Sequence, residues 1–417
     1  MLNNVTEYKH KSGLNVIYIK KPGFNERYAM FTTKYGAIDS FLKNTSTNET
    51  LEVPQGIAHF LEHKLFEQED INVMQEYARL GASPNAFTSS VQTSYLFSCA
   101  NNFEKSLRLL LKYVQSPFFT EQNVEKERGI IEQEINMYLD NPDAVVYMNF
   151  LKALYVAHPV RNDVAGTVES ISNITPDLLN FLYNTYYIPE NMVLTVSGDE
   201  SEDVIKSIVD EEITKEWYSR ERTGYVTDFP AEPKEVCQRK ISAKMDVAMP
   251  NFIFGYKDVN DEENALERVK KELELKFVME VLFGESSKFY ATLYNEGLIN
   301  DTFFNFYKSE RSFSFAAFGG ETKYPEKVVD KIKECIFDAK SGGIDEEAFA
   351  RIKNSNYGAF VKRLNSVERV GRLYTSAYFA GISVIDYFSL YDRINFNSAV
   401  KHLGLFDENR SAISIVE

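Results

Sequence analysis

Two of the five histidines stand four residues apart in Gly56-Ile57-Ala58-His59-Phe60-Leu61-Glu62-His63-Lys64-Leu65-Phe66, and no other segment constrains the fold as much. In a helix, positions i and i+4 project from one face, so the imidazoles of His59 and His63 can share one cation, with Glu62 beside them. The order His-x-x-Glu-His inverts the commoner His-Glu-x-x-His arrangement and is a hydrolase signature. Such a helix does not complete a site alone. A hydrolytic zinc centre usually takes three protein ligands, commonly two His and one carboxylate, and keeps a further position for water. The fold must therefore bring a downstream carboxylate to this helix.

The stretch Glu121 to Leu139 repeats apolar residues at helical spacing with no internal Pro and a single Gly. Within it Glu127 and Glu134 lie seven residues apart, which returns to nearly the same helix face, about 20° off. Both share that face with Ile130 and Tyr138. A carboxylate on an otherwise apolar stripe is costly to bury unless a cation or a donor meets it, and a metal would be such a cation. Glu125 and Glu132 fall toward the opposite face and read as solvated charge. His10, His158 and His402 stand alone in the sequence and read as structural.

A chain of 417 residues is too long for one ordinary core, so two domains are expected. With 44% hydrophobic and 26% charged residues it has the composition of a folded globular protein. Gly13 to Ile19, Ala29 to Thr33 and Asn191 to Gly198 read as strands, and Phe103 to Val114, Glu121 to Leu139 and Pro176 to Tyr187 as helices. Around Arg220-Glu221-Arg222, Pro230 and Pro233 no apolar period persists, which marks a linker. Residues 1–218 are then an N-terminal domain carrying the metal site, 219–237 the linker, and 238–417 a second domain without one. The second half opens on the strand Phe252 to Tyr256, with helices near Ala265 to Leu282 and Glu346 to Leu364. Both halves alternate strand, helix and strand, which suggests a duplicated α+β unit.

Lys plus Arg number 46 against 61 Asp plus Glu, a net charge of -15, and this disfavours a sequence-independent grip on nucleic acid. Cys99, Cys237 and Cys335 are odd in number and far apart, so they suggest free thiols and not a disulfide framework. The N-terminus is polar and no run is long enough to span a membrane; a cytoplasmic protein is expected.

These segments resemble the pitrilysin family, which includes insulin-degrading enzymes and mitochondrial processing peptidases, and more closely its small bacterial two-domain members. Gly56 to Phe66 is similar to the family's zinc helix and Glu127 to Glu134 to its spaced Glu pair. His158 to Gly166-Thr167 and Tyr187 to Gly198 are similar to its later landmarks. The resemblance implies an α+β fold of two homologous α/β-layer domains, each a mixed or antiparallel sheet packed with helices, that form a clamshell around peptides or unfolded segments. It further implies a zinc endopeptidase with one Zn2+ per chain bound by His59, His63 and Glu134. Glu62 would be the general base that activates the zinc-bound water, and Glu127 would support the site from behind. Asn85-Ala86-Phe87-Thr88-Ser89 looks like the family's edge strand, so Asn85, Ala86, Phe87 and Thr88 are expected to bind substrate through the backbone.

The second half departs from that pattern. Active single-chain relatives carry an Arg and a Tyr flanking a Gly-Leu, and here Gly297-Leu298 is flanked by Leu293, Tyr294 and Asn300. In some family members a metal-free homologous subunit supplies that Arg and Tyr, so a heterodimer is expected. The alternative is a zinc-binding, non-catalytic subunit that holds a partner or a peptide; a base at Glu62 argues for the enzyme.

Overall fold

The computed structural model describes residues 4–259, 262 and 264–417. They gather into two compact units, each assembled from separated stretches of chain: Met1–Ile135, Asp163–Phe229 and Lys362–Phe379 in the first, Asn136–Asn162, Pro230–Val361 and Ala380–Glu417 in the second.

The strands of the first unit are β1 (Val5–Lys9), β2 (Asn15–Lys20), β3 (Arg27–Thr33), β4 (Phe41–Asn44), β5 (Thr50–Glu52), β6 (Ala82–Thr88), β7 (Thr93–Cys99), β8 (Met192–Gly198) and β9 (Tyr225–Thr227). Six of them form one sheet in the order β1-β2-β8-β3-β7-β6, antiparallel throughout except for the parallel pair β2 and β8. Every residue of β8 is buried, as expected of a strand covered on both faces, and its two polar side chains, Thr195 and Ser197, are hydrogen-bonded to Thr375 and to the Val367 carbonyl. One face packs against Leu107, Leu110 and Leu111 of the helix Phe103–Gln115 and Leu182 of the helix Pro176–Tyr186. The other face meets the helix Val367–Ala380: Val367 clusters with Tyr28, Met30 and Leu96, and Thr375 exchanges a 2.8 Å hydroxyl contact with Thr195. β6 pairs only with β7 and leaves an open edge.

The second unit holds β10 (Lys240–Ala243), β11 (Asn251–Asp258), β12 (Phe304–Ser309), β13 (Ser314–Glu321) and β14 (Ser411–Val416), in the order β10-β14-β11-β13-β12. Here too one pair, β10 and β14, is parallel and the others are antiparallel. The helix Pro142–Leu154 packs on this sheet, and Tyr155 just past its end donates to the Ser314 carbonyl at 3.0 Å.

The compact units thus differ from the contiguous halves read from the sequence. The helix Pro142–Leu154 of the N-terminal half belongs to the second sheet, and the helix Val367–Ala380 of the C-terminal half covers the first. Glycines permit both approaches. A Cβ on Gly371 would stand 2.9 Å from the Tyr28 ring, and one on Gly255 in β11 would stand 2.7 Å from Cζ of Phe150. Nor is all of 219–237 a free connection. β9 pairs with β4, and the Glu232 carboxylate accepts the amides of Val156, Ala157 and His158 at 2.9, 2.7 and 2.6 Å and an ion pair from the buried Lys257.

Candidate metal centre

The helix Ile57–Leu65 starts at Gly56 in a left-handed conformation with φ 87°. A Cβ there would meet the Ala165 carbonyl oxygen at 2.3 Å, and one on Gly166 the Gln55 carbonyl oxygen at 2.5 Å. Two glycines therefore let two turns cross backbone to backbone, which fixes where the helix begins. The role of Gly166 was visible in the sequence only as a landmark. The helix is buried nearly all round, so His59 and Glu62 keep only 9% and 8% of their surface.

Glu127 and Glu134 arrive on the helix Glu121–Leu139, which seats Val124, Ile131 and Ile135 in the core. Glu127 is itself buried at 8% exposure and borders that core face, three residues from Val124 and four from Ile131, while Ile130 on the far side of it is 46% exposed. The stripe read from the sequence as apolar therefore runs along the boundary between core and opening, with the Glu127 side chain 10% exposed and that of Glu134 23%.

His59, His63 and Glu134 each offer a ligand atom, all within 4.8 Å of one another. Nε2 of His59 lies 3.7 Å from Oε1 of Glu134, and Nε2 of His63 lies 3.5 Å from Oε2. Those separations are too long for good hydrogen bonds. They suit a shared ion, because donors about 2.0–2.1 Å from a tetrahedral zinc stand roughly 3.3–3.5 Å apart. The orientation of the His63 ring also fits. Its Nδ1 meets Oε1 of Glu127 at 2.9 Å, which places the proton on Nδ1 and leaves the Nε2 lone pair for a metal. Nδ1 of His59 is buried without a hydrogen-bond partner. Burial, then the neighbouring His63, pushes His59 down to about 4, so it is neutral and able to ligate. For His63, burial works downward, but the hydrogen bond and charge of Glu127 outweigh it and raise the pKa.

Glu62 sits beside the cluster, and its Oε2 accepts a 2.6 Å hydrogen bond from Oγ1 of Thr88. Burial raises its pKa, and Thr88 opposes that rise. A cavity of about 790 Å³ opens here, walled by Glu62, His63, Phe66, Met74, Ala86 and Ile130 among others. Sites for small ligands and peptide side chains commonly enclose roughly 300–1,000 Å³.

The four residues expected to bind substrate lie on β6 but differ in what they face. The Ser89 amide donates to the Gln92 carbonyl at 2.8 Å, so by antiparallel alternation Phe87 and Asn85 bond inward to β7 while Ala86 and Thr88 turn to the open edge. Oδ1 of Asn85 covers the Ala86 amide at 2.9 Å. The Phe87 ring packs away from the cluster, against the group around Tyr28 and Met30 and under the Arg372 guanidinium, 5.1 Å from the ring centre.

Residues 44–168 match the family model described as Insulinase (Peptidase family M16), and residues 173–356 match the one described as Peptidase M16 inactive domain. A protein of Bacillus subtilis (strain 168) named uncharacterized zinc protease YmfH is 42% identical over 93% of this chain and 90% of its own length. The chain belongs to peptidase family M16. It is a pitrilysin-family member of the small two-domain type. A second Bacillus subtilis protein, uncharacterized zinc protease YmxG, is 26% identical over 87% of this chain and 85% of its own. Among solved M16 structures, an M16-like peptidase from Alicyclobacillus acidocaldarius superposes with TM-score 0.94 at 32% identity over 99% of this chain and 97% of that one. A Helicobacter pylori protease shares the M16 fold at TM-score 0.83 and 20% identity, over 99% of both chains. Among the described residues, no helix is long and apolar enough to cross a membrane.

Proposed function

We propose that this M16 chain is a zinc-dependent endopeptidase acting on peptides or unfolded segments, with one ion per chain held by His59, His63 and Glu134. The observation that carries the proposal is the convergence of Nε2 of both histidines on the two oxygens of Glu134, with the Glu62 carboxylate alongside. Relatives named as zinc proteases support it. Zinc, when bound there, supplies Lewis acidity toward a water molecule and the scissile carbonyl. Glu62 is the general base: through Oε1, the oxygen that the Thr88 hydroxyl does not hold, it takes the proton of the attacking water and returns it to the leaving amine nitrogen. Glu127 keeps the His63 ring in the ligating tautomer through Nδ1. On the open edge of β6, Ala86 pairs with the substrate backbone once Asn85 releases its amide, a mode that admits only extended chain.

The substrate grip is the incomplete part. Where the resemblance calls for an Arg stand Leu293, buried at 3% exposure, or Tyr294, 51% exposed and stacked on Tyr290; where it calls for a Tyr, Asn300 spends its side-chain oxygen on the amide and hydroxyl of Thr302. A homologous, metal-free subunit supplying the two residues completes the enzyme in this proposal. The test is cleavage of a mixed peptide library by purified chain, with and without that subunit, and with Glu62→Gln as control. Activity that requires zinc and vanishes in Glu62→Gln is the expected result. Stoichiometric zinc without cleavage in either preparation would favour a zinc-binding, non-catalytic subunit.

A further inference from the structure

Resting on the reading of Glu62 as general base, we propose that Thr88 is its positioning residue: the Thr88 hydroxyl fixes Oε2 of Glu62 and so aims Oε1 at the reacting water. The terminal torsion of a Glu side chain is broad and does not set the direction of its oxygens by itself. Some bond must. Thr88 Oγ1 lies 2.6 Å from Oε2 and 3.3 Å from Oγ1 of Thr93, and a hydroxyl has one proton to give. Thr93 spends its own on the Tyr35 carbonyl at 2.9 Å. The Thr88 proton is therefore committed to Glu62, at a distance typical of a charge-assisted O–H···O bond.

The placement adds a second consequence. Thr88 is on the open edge of β6, two residues beyond Ala86, so the strand that receives the substrate backbone is also the one that orients the base. Seating a peptide along β6 fixes Thr88, and through its hydroxyl the carboxylate 26 residues earlier in the chain. An Ala at this position would keep the strand and lose the coupling.

The experiment compares the full-length, zinc-loaded wild-type protein with Thr88→Val and Thr88→Ser, in the preparation that cleaves. Thr88→Val is expected to lower kcat roughly 10- to 100-fold with KM changed by no more than about twofold, as for removal of a group that orients a reacting residue. Zinc content is expected to stay the same, and Thr88→Ser to recover most of the rate. An unchanged kcat, or a raised KM with kcat intact, would overturn the proposal and leave Thr88 a strand residue only. Crystal structures of the same proteins give a readout independent of turnover. The Glu62 carboxylate is expected to lose its single orientation in Thr88→Val and regain it in Thr88→Ser, and a carboxylate that keeps the wild-type orientation in Thr88→Val overturns the proposal. Full cleavage by Glu62→Gln would instead remove the general-base reading itself, an outcome that the Glu62 orientation in Thr88→Val does not depend on.

Discussion

The two sheets are built to one plan and do different work. β2-β8-β3-β7-β6 and β10-β14-β11-β13-β12 have the same order and the same sequence of parallel and antiparallel pairs. Between β3 and β6 the first unit inserts the helix of His59, Glu62 and His63; between β11 and β12 the second inserts the helices Ala265–Phe283 and Lys288–Asn295, which contain no histidine. The histidines of the second unit serve packing. His402 meets Glu274 at 2.8 Å, and His158 meets Ser312 at 3.1 Å. The shared topology lays out an edge strand and a neighbouring helix twice, and among the described residues only the first copy gathers a donor set for a candidate metal centre. Function here resides in the site and not in the fold.

The sharpest way to break this comparison is to remove chemistry from the first unit alone. Glu62→Gln is expected to lower kcat by roughly 10²- to 10⁴-fold, the usual contribution of a general base, with zinc still bound in a metal assay; retained turnover would erase the distinction between the sheets. Next in size is the packing of the exchanged helices. Gly255→Ala drives a Cβ to 2.7 Å from Cζ of Phe150 on the helix Pro142–Leu154, and also to 2.1 Å from the Ala316 carbonyl oxygen of β13. Gly371→Ala drives one to 2.9 Å from Tyr28, so each is expected to cost about 1–3 kcal/mol, Gly255 the more because it meets both helix and strand. Urea unfolding measures this, and a neutral effect at either site would deny that helix its close approach. Glu127→Gln keeps the three ligands and loses the charged partner of His63, so zinc affinity is expected to weaken about 10- to 100-fold in a competition titration.

The smallest effect concerns Glu272, a largely buried carboxylate of the second unit. Burial, then the charge of Glu310, raises Glu272 to about 7, with Lys276, Lys308 and Arg268 opposing. The folded chain therefore holds this proton in a pH range where the unfolded chain has released it. Stability from this group is present below about pH 4.5 and is lost as the pH rises through about 7. Glu272→Gln is expected to raise unfolding free energy by on the order of 2 kcal/mol at pH 8 and to add nothing at pH 4; equal effects at both pH values would contradict the assignment.

The grouping of His59, His63 and Glu134 was legible because its regularities are local. The four-residue step from His59 to His63 and the seven-residue step from Glu127 to Glu134 are helical periods, and helices formed over Ile57–Leu65 and Glu121–Leu139. The strands at β2, β3, β8 and β11 were equally visible as dense β-branched and aromatic runs. What the sequence hid depends on which surfaces meet. The bond from Thr88 to Glu62 exists only because β6 lies beside the metal helix. Phe87 alternates away from that helix, and a strand pattern alone does not tell which face looks at the site. The helix Pro142–Leu154 has an apolar side that suits either sheet; Phe150 opposite Gly255 decides the matter, and that pairing spans more than a hundred residues.

The reciprocal exchange of helices also sets the order in which the protein can be finished during translation. Val367, Gly371 and Thr375 cover Tyr28, Met30 and Thr195, so the layer that bears the histidines keeps one apolar side bare until Phe379 has left the ribosome. A nascent chain halted at Phe229 holds every candidate ligand and still lacks the wall behind them. Exposed surface of this kind is what makes incomplete chains prone to aggregate, and it argues that this gene would not survive being split at the natural-looking boundary between its halves unless both products were made together.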